Sequence, residues 1–328
     1  MNAPGQNAPL ETEGLTALEK HEAQATEAER REVEAAVRKE RKQFRETVLG
    51  QIWTGLTRSP SGFAGTLLVL LIVGFSFIGP LVIDQDNPVD TSKIWTEPSS
   101  EHWLGTEYQG KDTFTILVNS GAEPIWVGTL AALMAITVAV TLGSIAGYFR
   151  GRIDSILLQL TDVTVTIPQF LLMLAVVAFF ENIPPWGVAI VVGSTMWAFL
   201  FRSIRAQVMS LKEREFVEAA RLQNLGTPRI VFREILPNMA GFIFVNFVIS
   251  VNQAIYAIVG LFVLGLMPSG TPNWGLMIHN SWSQNFYLNP ITMPYVLTPL
   301  IMIVLFTVGL VTMGRGLDQA LNPRLRER

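Results

Sequence analysis

The chain has 328 residues, is 49% hydrophobic, contains no cysteine and carries a formal net charge of -3. Without cysteine there are no disulfides, thiolate zinc sites or cysteine nucleophiles. The near-neutral charge gives no basic footprint for nucleic acid.

Residues 1–57 read as a lead distinct from the rest. The first fifteen, MNAPGQNAPLETEGL, have no basic segment followed by an apolar one, so they do not read as a signal peptide. The first ten or so are expected to be disordered. From residue 15 onward Glu, Arg, Lys and Ala dominate, and the pairs Glu27/Arg31 and Glu34/Arg38 sit at helical i,i+4 spacing. The lead reads first as a solvated, partly frayed helical arm; the alternative is that its Phe44, Val48, Ile52 and Trp53 side lies on a membrane surface or a partner protein.

From Phe63 the pattern changes. A bilayer core takes about 20 consecutive apolar residues as a helix. Six segments meet that length, near 63–83, 124–149, 156–180, 187–206, 239–267 and 293–314. The third is the least apolar and carries Asp162, about 12 Å of helix rise beyond Asp154. A carboxylate inside a membrane segment is a functional candidate by default, and the plainer reading turns it into the bundle, paired with a Thr, a backbone group or a basic residue. The expectation is an all-α, polytopic membrane protein, with a lead over 1–57 and a six-helix transmembrane domain over 58–328.

Six spans place both termini on one side. That side holds 22 of the 24 Lys and Arg, and the other holds only Lys93 and Lys111. The positive-inside rule makes the basic side cytoplasmic, with the protein in the plasma or inner membrane. The first outer loop is acidic, with Asp84, Asp86, Asp90, Glu97, Glu101, Glu107, Asp112 and Glu123. Its run from Asp84 to Asp90 is a poor calcium loop, lacking glycine at the sixth position and glutamate at the twelfth. An acidic face for a partner is the better reading. In the last outer loop Trp274, Trp282, Tyr287 and Tyr295 suit a membrane–water boundary. His21, His102 and His279 have no metal-ligand spacing. No pairing of serine, histidine and acid, or of two carboxylates, supports a membrane enzyme.

The stretch EFVEAARLQNLGTPRIVFREILPN, from Glu215 to Asn238, lies on the basic side between spans four and five. It reads as a short helix with Phe216, Ala219, Ala220 and Leu222 on an apolar side. Asn224 or Gly226 can take the left-handed conformation that ends it. Pro228 can open the next helix, and Pro237 marks the start of span five.

These residues resemble the cytoplasmic loop of permease subunits of bacterial ATP-binding-cassette importers. That loop carries Glu-Ala-Ala, three residues, Gly, nine residues and an Ile-x-Leu-Pro ending. Here Glu218-Ala219-Ala220 is followed at matching spacing by Asn224 and by Glu234-Ile235-Leu236-Pro237, with the isoleucine displaced by one. HWLGTEYQGKDTF (102–114) is similar to the His-x-Leu-Gly-Thr-Asp-x-x-Gly-Arg-Asp segment of the dipeptide and oligopeptide permeases. AGYFRGRIDSILLQLTD (146–162) with Ile167-Pro168, PNWGLM (272–277) and GLDQALNPRLR (316–326) match further segments. The likeness covers roughly residues 58–326 and is greatest to the C-type subunit. Two departures, SGAEPIW (120–126) and GLFVLGLMPSGTPNWG (260–275), bear on the substrate rather than the fold.

The resemblance implies a type I importer permease bundle with a cytoplasmic coupling loop over 213–237. It implies Glu218, Ala219 and Ala220 as the face that docks on an ATPase, Asn224 and Gly226 as the turn, and Leu236 and Pro237 as its close. It implies a second permease subunit, two cytosolic ATPases and an external substrate-binding protein as partners, with the lipid bilayer as solvent. The chain has no Gly-x-x-x-x-Gly-Lys-Ser/Thr phosphate loop, so ATP and Mg are expected on the partners and no cofactor on this chain. The implied cargo is a dipeptide or oligopeptide, with nickel chelates, glutathione or another small polar solute as alternatives. A stand-alone secondary transporter is the reading from a different class, and neither an internal repeat nor midplane charges support it.

Overall fold

The structure is a computed structural model that describes residues 59–83, 87–180, 182–267 and 272–321. The expected lead over 1–57 and its apolar side lie outside the described residues, as do Asp84 and Asp86 of the acidic run.

The described residues form a helical bundle. Helix α1 (Pro60–Phe77) starts where the Ser59 hydroxyl accepts from the Gly62 amide, and Pro60 occupies a position whose missing N–H costs nothing. The one-turn α2 (Gly79–Val82) follows. An irregular segment leads to α3 (Thr113–Asn119), capped by the Asp112 carboxylate, and then to α4 (Ala122–Phe149). Next come α5 (Gly151–Thr166), α6 (Gln169–Val177) and α7 (Pro185–Lys212). The short α8 (Glu215–Leu222) precedes α9 (Ala240–Val263), α10 (Trp274–Ser283) and α11 (Met293–Leu321).

Five helical stretches are long and apolar enough to cross a bilayer, and α5 with α6 makes a sixth as one bent span. The third span, expected as continuous over 156–180, is therefore broken: its halves meet at 78°. The break falls at Ile167-Pro168. Proline crowds the residue before it out of the helical region, and Ile167 sits at φ -84, ψ 126. Helices α7 and α11 run beyond the apolar segments expected at 187–206 and 293–314, to Lys212 and Leu321.

Packing follows residue size. Helix α4 turns a stripe of small residues (Ala131, Ala135, Ala139, Ala146) inward, all without solvent exposure. This lets α7 approach closely, as small residues do between membrane helices. One core gathers α4, α6, α7 and α9 around Met173, Val192 and Leu261. A second joins α1, α3, α9, α10 and α11 around Trp274 and Phe306. A third, around Phe201, Val208 and Ile235, fastens α8 and the residues after it to α4 and α7. Helices α1 and α11 touch through glycines: a Cβ on Gly65 would lie 2.5 Å from the Met313 amide. Leu70, Leu71, Ile156 and Val163 remain exposed, as lipid-facing side chains do.

Asp154 and Asp162 are both partnered across helices. Arg205 of α7 grips both oxygens of Asp154, with Nη2–Oδ2 at 2.6 Å. Arg202, one turn earlier, pairs with Asp162. Asp162 is paired with a basic residue, as the plainer reading has it, but its side chain is 64% exposed rather than turned into the bundle, and the two pairs brace α5 against α7.

Candidate functional site

Two irregular regions cap opposite ends of the bundle, and a cavity lies between them. The end bearing Arg150, Lys212 and Arg214 holds residues 213–239. Helix α8 has Glu215 and Glu218 in its first turn and Arg221 in its last, which complements the helix dipole at both ends. Val217 and Ala220 are buried, and with Ile230, Ile235 and Met239 they anchor the segment in the third core. The helix closes with a Schellman turn. Asn224 is left-handed at φ 54. Its amide donates to the Arg221 carbonyl at 2.9 Å, and the Leu225 amide donates to the Ala220 carbonyl at 3.2 Å. Gly226 is extended at φ -61, ψ 147, so Asn224 alone makes the left-handed turn. Pro228 sits in the first turn of the next helical piece (Thr227–Arg229). The chain then runs through a π-helical stretch, Ile230–Ile235. Pro237 lies in the turn Leu236–Asn238 just before α9, with Leu236 and Pro237 half-buried.

The predicted residues thus separate by face. Glu218 and Ala219 are exposed, whereas Ala220 packs inward. Leu222, read as part of one apolar side with Phe216 and Ala220, is 80% exposed, and Phe232 is 68% exposed. Phe232 was missed because it lies beyond the helix, where no periodicity marks it. Glu218, Ala219, Leu222 and Phe232 are thus among the side chains turned outward at this end.

The cavity, of about 670 Å³, lies between α6, α7 and α9. Its polar lining is Gln169, Ser203, Asn246, Ser250, Gln253 and Tyr256, set among Phe170, Met173, Met196 and Phe199. No charged side chain lines it among the described residues. The Asn246 amide donates to the Phe242 carbonyl at 2.8 Å, and the Tyr256 hydroxyl meets Thr307 Oγ1 at 2.8 Å.

The opposite end is a platform over 87–120. Its order comes from backbone pairing. Glu107 N–H donates to the Lys111 carbonyl at 2.9 Å, Thr113 N–H to Gly105 at 3.0 Å, and Asp90 N–H to Gln109 at 3.1 Å. Gly110 is left-handed at φ 76, and a Cβ there would lie 1.8 Å from the Asp90 carbonyl oxygen. Glu107 is buried, and its Oε1 accepts from the Gln109 and Lys111 amides. Burial pushes its carboxyl pKa up, against those two amides. At the rim, the Ser92 hydroxyl and amide hold the exposed Asp90 carboxyl below the usual range, and Lys93 does the same for Glu101. His102 Nδ1 lies 3.1 Å from Asp112 Oδ1.

Two aromatic residues expected at a membrane–water boundary are instead core. Trp274 has no exposure and donates its indole N–H to the Leu117 carbonyl at 3.1 Å. Tyr295 is buried beside Trp95 and Phe286. Both are drawn inward because the platform folds over them. Trp282 and Tyr287 stay exposed, stacked at 5.5 Å.

Residues 139–327 match the family described as binding-protein-dependent transport system inner membrane component. Three relatives align along most of their length. The dipeptide transport system permease protein DppC of Alkalihalophilus pseudofirmus is 32% identical, over 83% of this chain and 88% of its own. DppC of Bacillus subtilis is 30% identical, over 84% and 85%. The glutathione transport system permease protein GsiD of Pectobacterium atrosepticum is 30% identical, over 84% and 91%. With its membrane-spanning bundle and its anchored loop between α7 and α9, this chain belongs to the family of inner membrane permease components of binding-protein-dependent transport systems.

Proposed function

We propose that this chain is a C-type permease subunit of an ATP-driven importer of dipeptides or oligopeptides. A second permease subunit completes the pathway, two cytosolic ATPases bind ATP and Mg and drive it, and an external binding protein delivers the cargo. Both termini and residues 213–239 lie in the cytoplasm, and the platform lies outside.

The observation that carries this reading is the division of α8 into two faces. Val217 and Ala220 fasten the helix to the bundle, while Glu218, Ala219 and Leu222 are left bare. An apolar side chain as exposed as Leu222, beside a small Ala and a carboxylate, suits a groove in a partner protein. The uncharged cavity between α6, α7 and α9 supports a permissive pathway. Asn and Gln side chains both donate and accept, so they serve a peptide backbone in either direction. The similarity to a glutathione permease keeps glutathione, itself a small peptide, as a second cargo reading.

The test is co-purification from detergent-solubilised membranes, wild type beside Glu218→Arg, followed by an ATPase assay. The wild type brings down a second permease and an ATPase, and the variant keeps the permease and loses the ATPase. A wild type that purifies alone and moves solute without nucleotide contradicts the reading. Competition by unlabelled glutathione against labelled dipeptide uptake separates the two cargoes.

A further inference from the structure

Helix α8 is tied to the bundle at a second place, away from its apolar anchor. Tyr148, near the end of α4, has the Lys212 ammonium 5.3 Å and the Arg221 guanidinium 5.7 Å from its ring centroid. Lys212 also donates to the Tyr148 carbonyl at 2.5 Å. Two residues on, Arg150 reaches Glu213 at 2.9 Å. Lys212 ends α7, Glu213 lies in the corner between α7 and α8, and Arg221 lies in the last turn of α8. One corner of α4 thus holds the end of α7, the α7–α8 corner and the last turn of α8.

That corner is stiff. Arg150 and Gly151 are successive left-handed residues, at φ 55 and φ 67. A non-glycine residue there is held by its surroundings rather than by preference. Just before it, a Cβ on Gly147 would lie 2.9 Å from the Arg205 carbonyl, so α4 and α7 are in close backbone approach there.

The charges make the arrangement specific. Lys212 and Arg221 are two cations over one ring, and Arg150 nearby is paired with Glu213. Like charges repel, so two cations settle near one ring because its electron-rich face attracts them.

We infer that Tyr148 is a coupling residue: its ring joins α8 to α4, so that α4, α7 and α8 move as one body when α8 is displaced. This rests on the reading of α8 as the ATPase-facing helix. It gives α8 a second, polar tie to α4 beside the apolar one of the third core, which a loop merely hinged between α7 and α9 would not have. Tyr148 acts through Arg221 and Lys212, and it touches no cargo.

The experiment uses the complete complex in proteoliposomes, scoring labelled dipeptide taken up per ATP hydrolysed, with subunit retention checked on the same sample. Tyr148→Ala lowers that ratio about 5-fold while keeping the ATPase subunits, the scale set by losing two exposed cation–π contacts. Tyr148→Phe keeps the ring and stays within about twofold of wild type. Lys212→Gln with Arg221→Gln keeps the ring, removes the cations and reproduces the alanine defect. Should Tyr148→Ala fail to assemble, the double variant decides. The inference is overturned if Tyr148→Ala or the double variant stays fully coupled, or if Tyr148→Phe is as defective as alanine. A wild-type complex that shows no ATP-dependent uptake overturns the underlying function instead.

Discussion

The two ends of the bundle order irregular chain by opposite means. The platform over 87–120 is held by backbone hydrogen bonds, left-handed glycines and a buried carboxylate. The segment over 213–239 is held by buried Val217, Ala220, Ile230, Ile235 and Met239, with its polar and some apolar side chains turned out. A network of backbone bonds makes a rigid lid that tolerates little change. An apolar anchor makes a mount whose outer face is free to vary and to bind. Substitutions at the platform end should therefore cost stability and spare partner capture, and substitutions on the outer face of α8 should do the reverse.

The largest expected effect is at the platform side. Trp274→Ala removes a fully buried indole and its bond to the Leu117 carbonyl. A loss of about 4 kcal/mol is expected, read as a lower unfolding midpoint in detergent, with ATPase capture retained by whatever remains folded. Next is the brace between α5 and α7. Asp154→Asn leaves the half-buried Arg205 without its carboxylate and costs about 2 kcal/mol in the same assay. Asp162→Asn, whose pair is far more exposed, costs less than about 1 kcal/mol.

The turn after α8 gives a smaller and more diagnostic contrast. Asn224→Gly should be neutral within a few tenths of a kcal/mol, because glycine accepts the left-handed conformation freely. Asn224→Val should cost about 1–2 kcal/mol and loosen α8, measured as faster hydrogen exchange at Gln223–Leu225. Gly226→Ala, at an extended residue with open space around it, should do little.

The smallest effect is a pH dependence at the platform. Burial raises the pKa of Glu107 in the folded chain, so the folded state holds its proton where the unfolded state has lost it. Its contribution is most favourable below the ordinary glutamate value of 4.5 and is lost as pH rises from there through the raised value. Glu107→Gln keeps the oxygen that accepts from Gln109 and Lys111 and should flatten this part of the stability–pH curve. An unchanged curve would mean the carboxyl is not the titrating group.

Much of this was legible in the sequence, for identifiable reasons. Span positions followed from run length. The turn after α8 could be placed only to within Asn224 or Gly226, because both residues tolerate the left-handed conformation, and Asn224 takes it. The broken third span was signalled by Ile167-Pro168, but its apolar run carried straight across the break and hid it. The faces of α8 were only half legible. Periodicity groups Ala220 and Leu222 as apolar, yet it cannot say that the bundle covers one and leaves the other bare. The burial of Glu107, Trp274 and Tyr295 was out of reach, because it depends on residues far apart in the chain coming together over the bundle end.

The most direct measurement exploits the absence of cysteine from the chain. Single cysteines are placed at Ala219, Leu222, Ala220 and Trp103, and the purified complex is treated with a short thiol-directed cross-linker. Ala219→Cys and Leu222→Cys are expected to join the chain to an ATPase subunit, buried Ala220→Cys is not, and neither is Trp103→Cys on the platform. Cross-linking to the ATPase from Trp103, or from neither Ala219 nor Leu222, would contradict the assignment of the two ends.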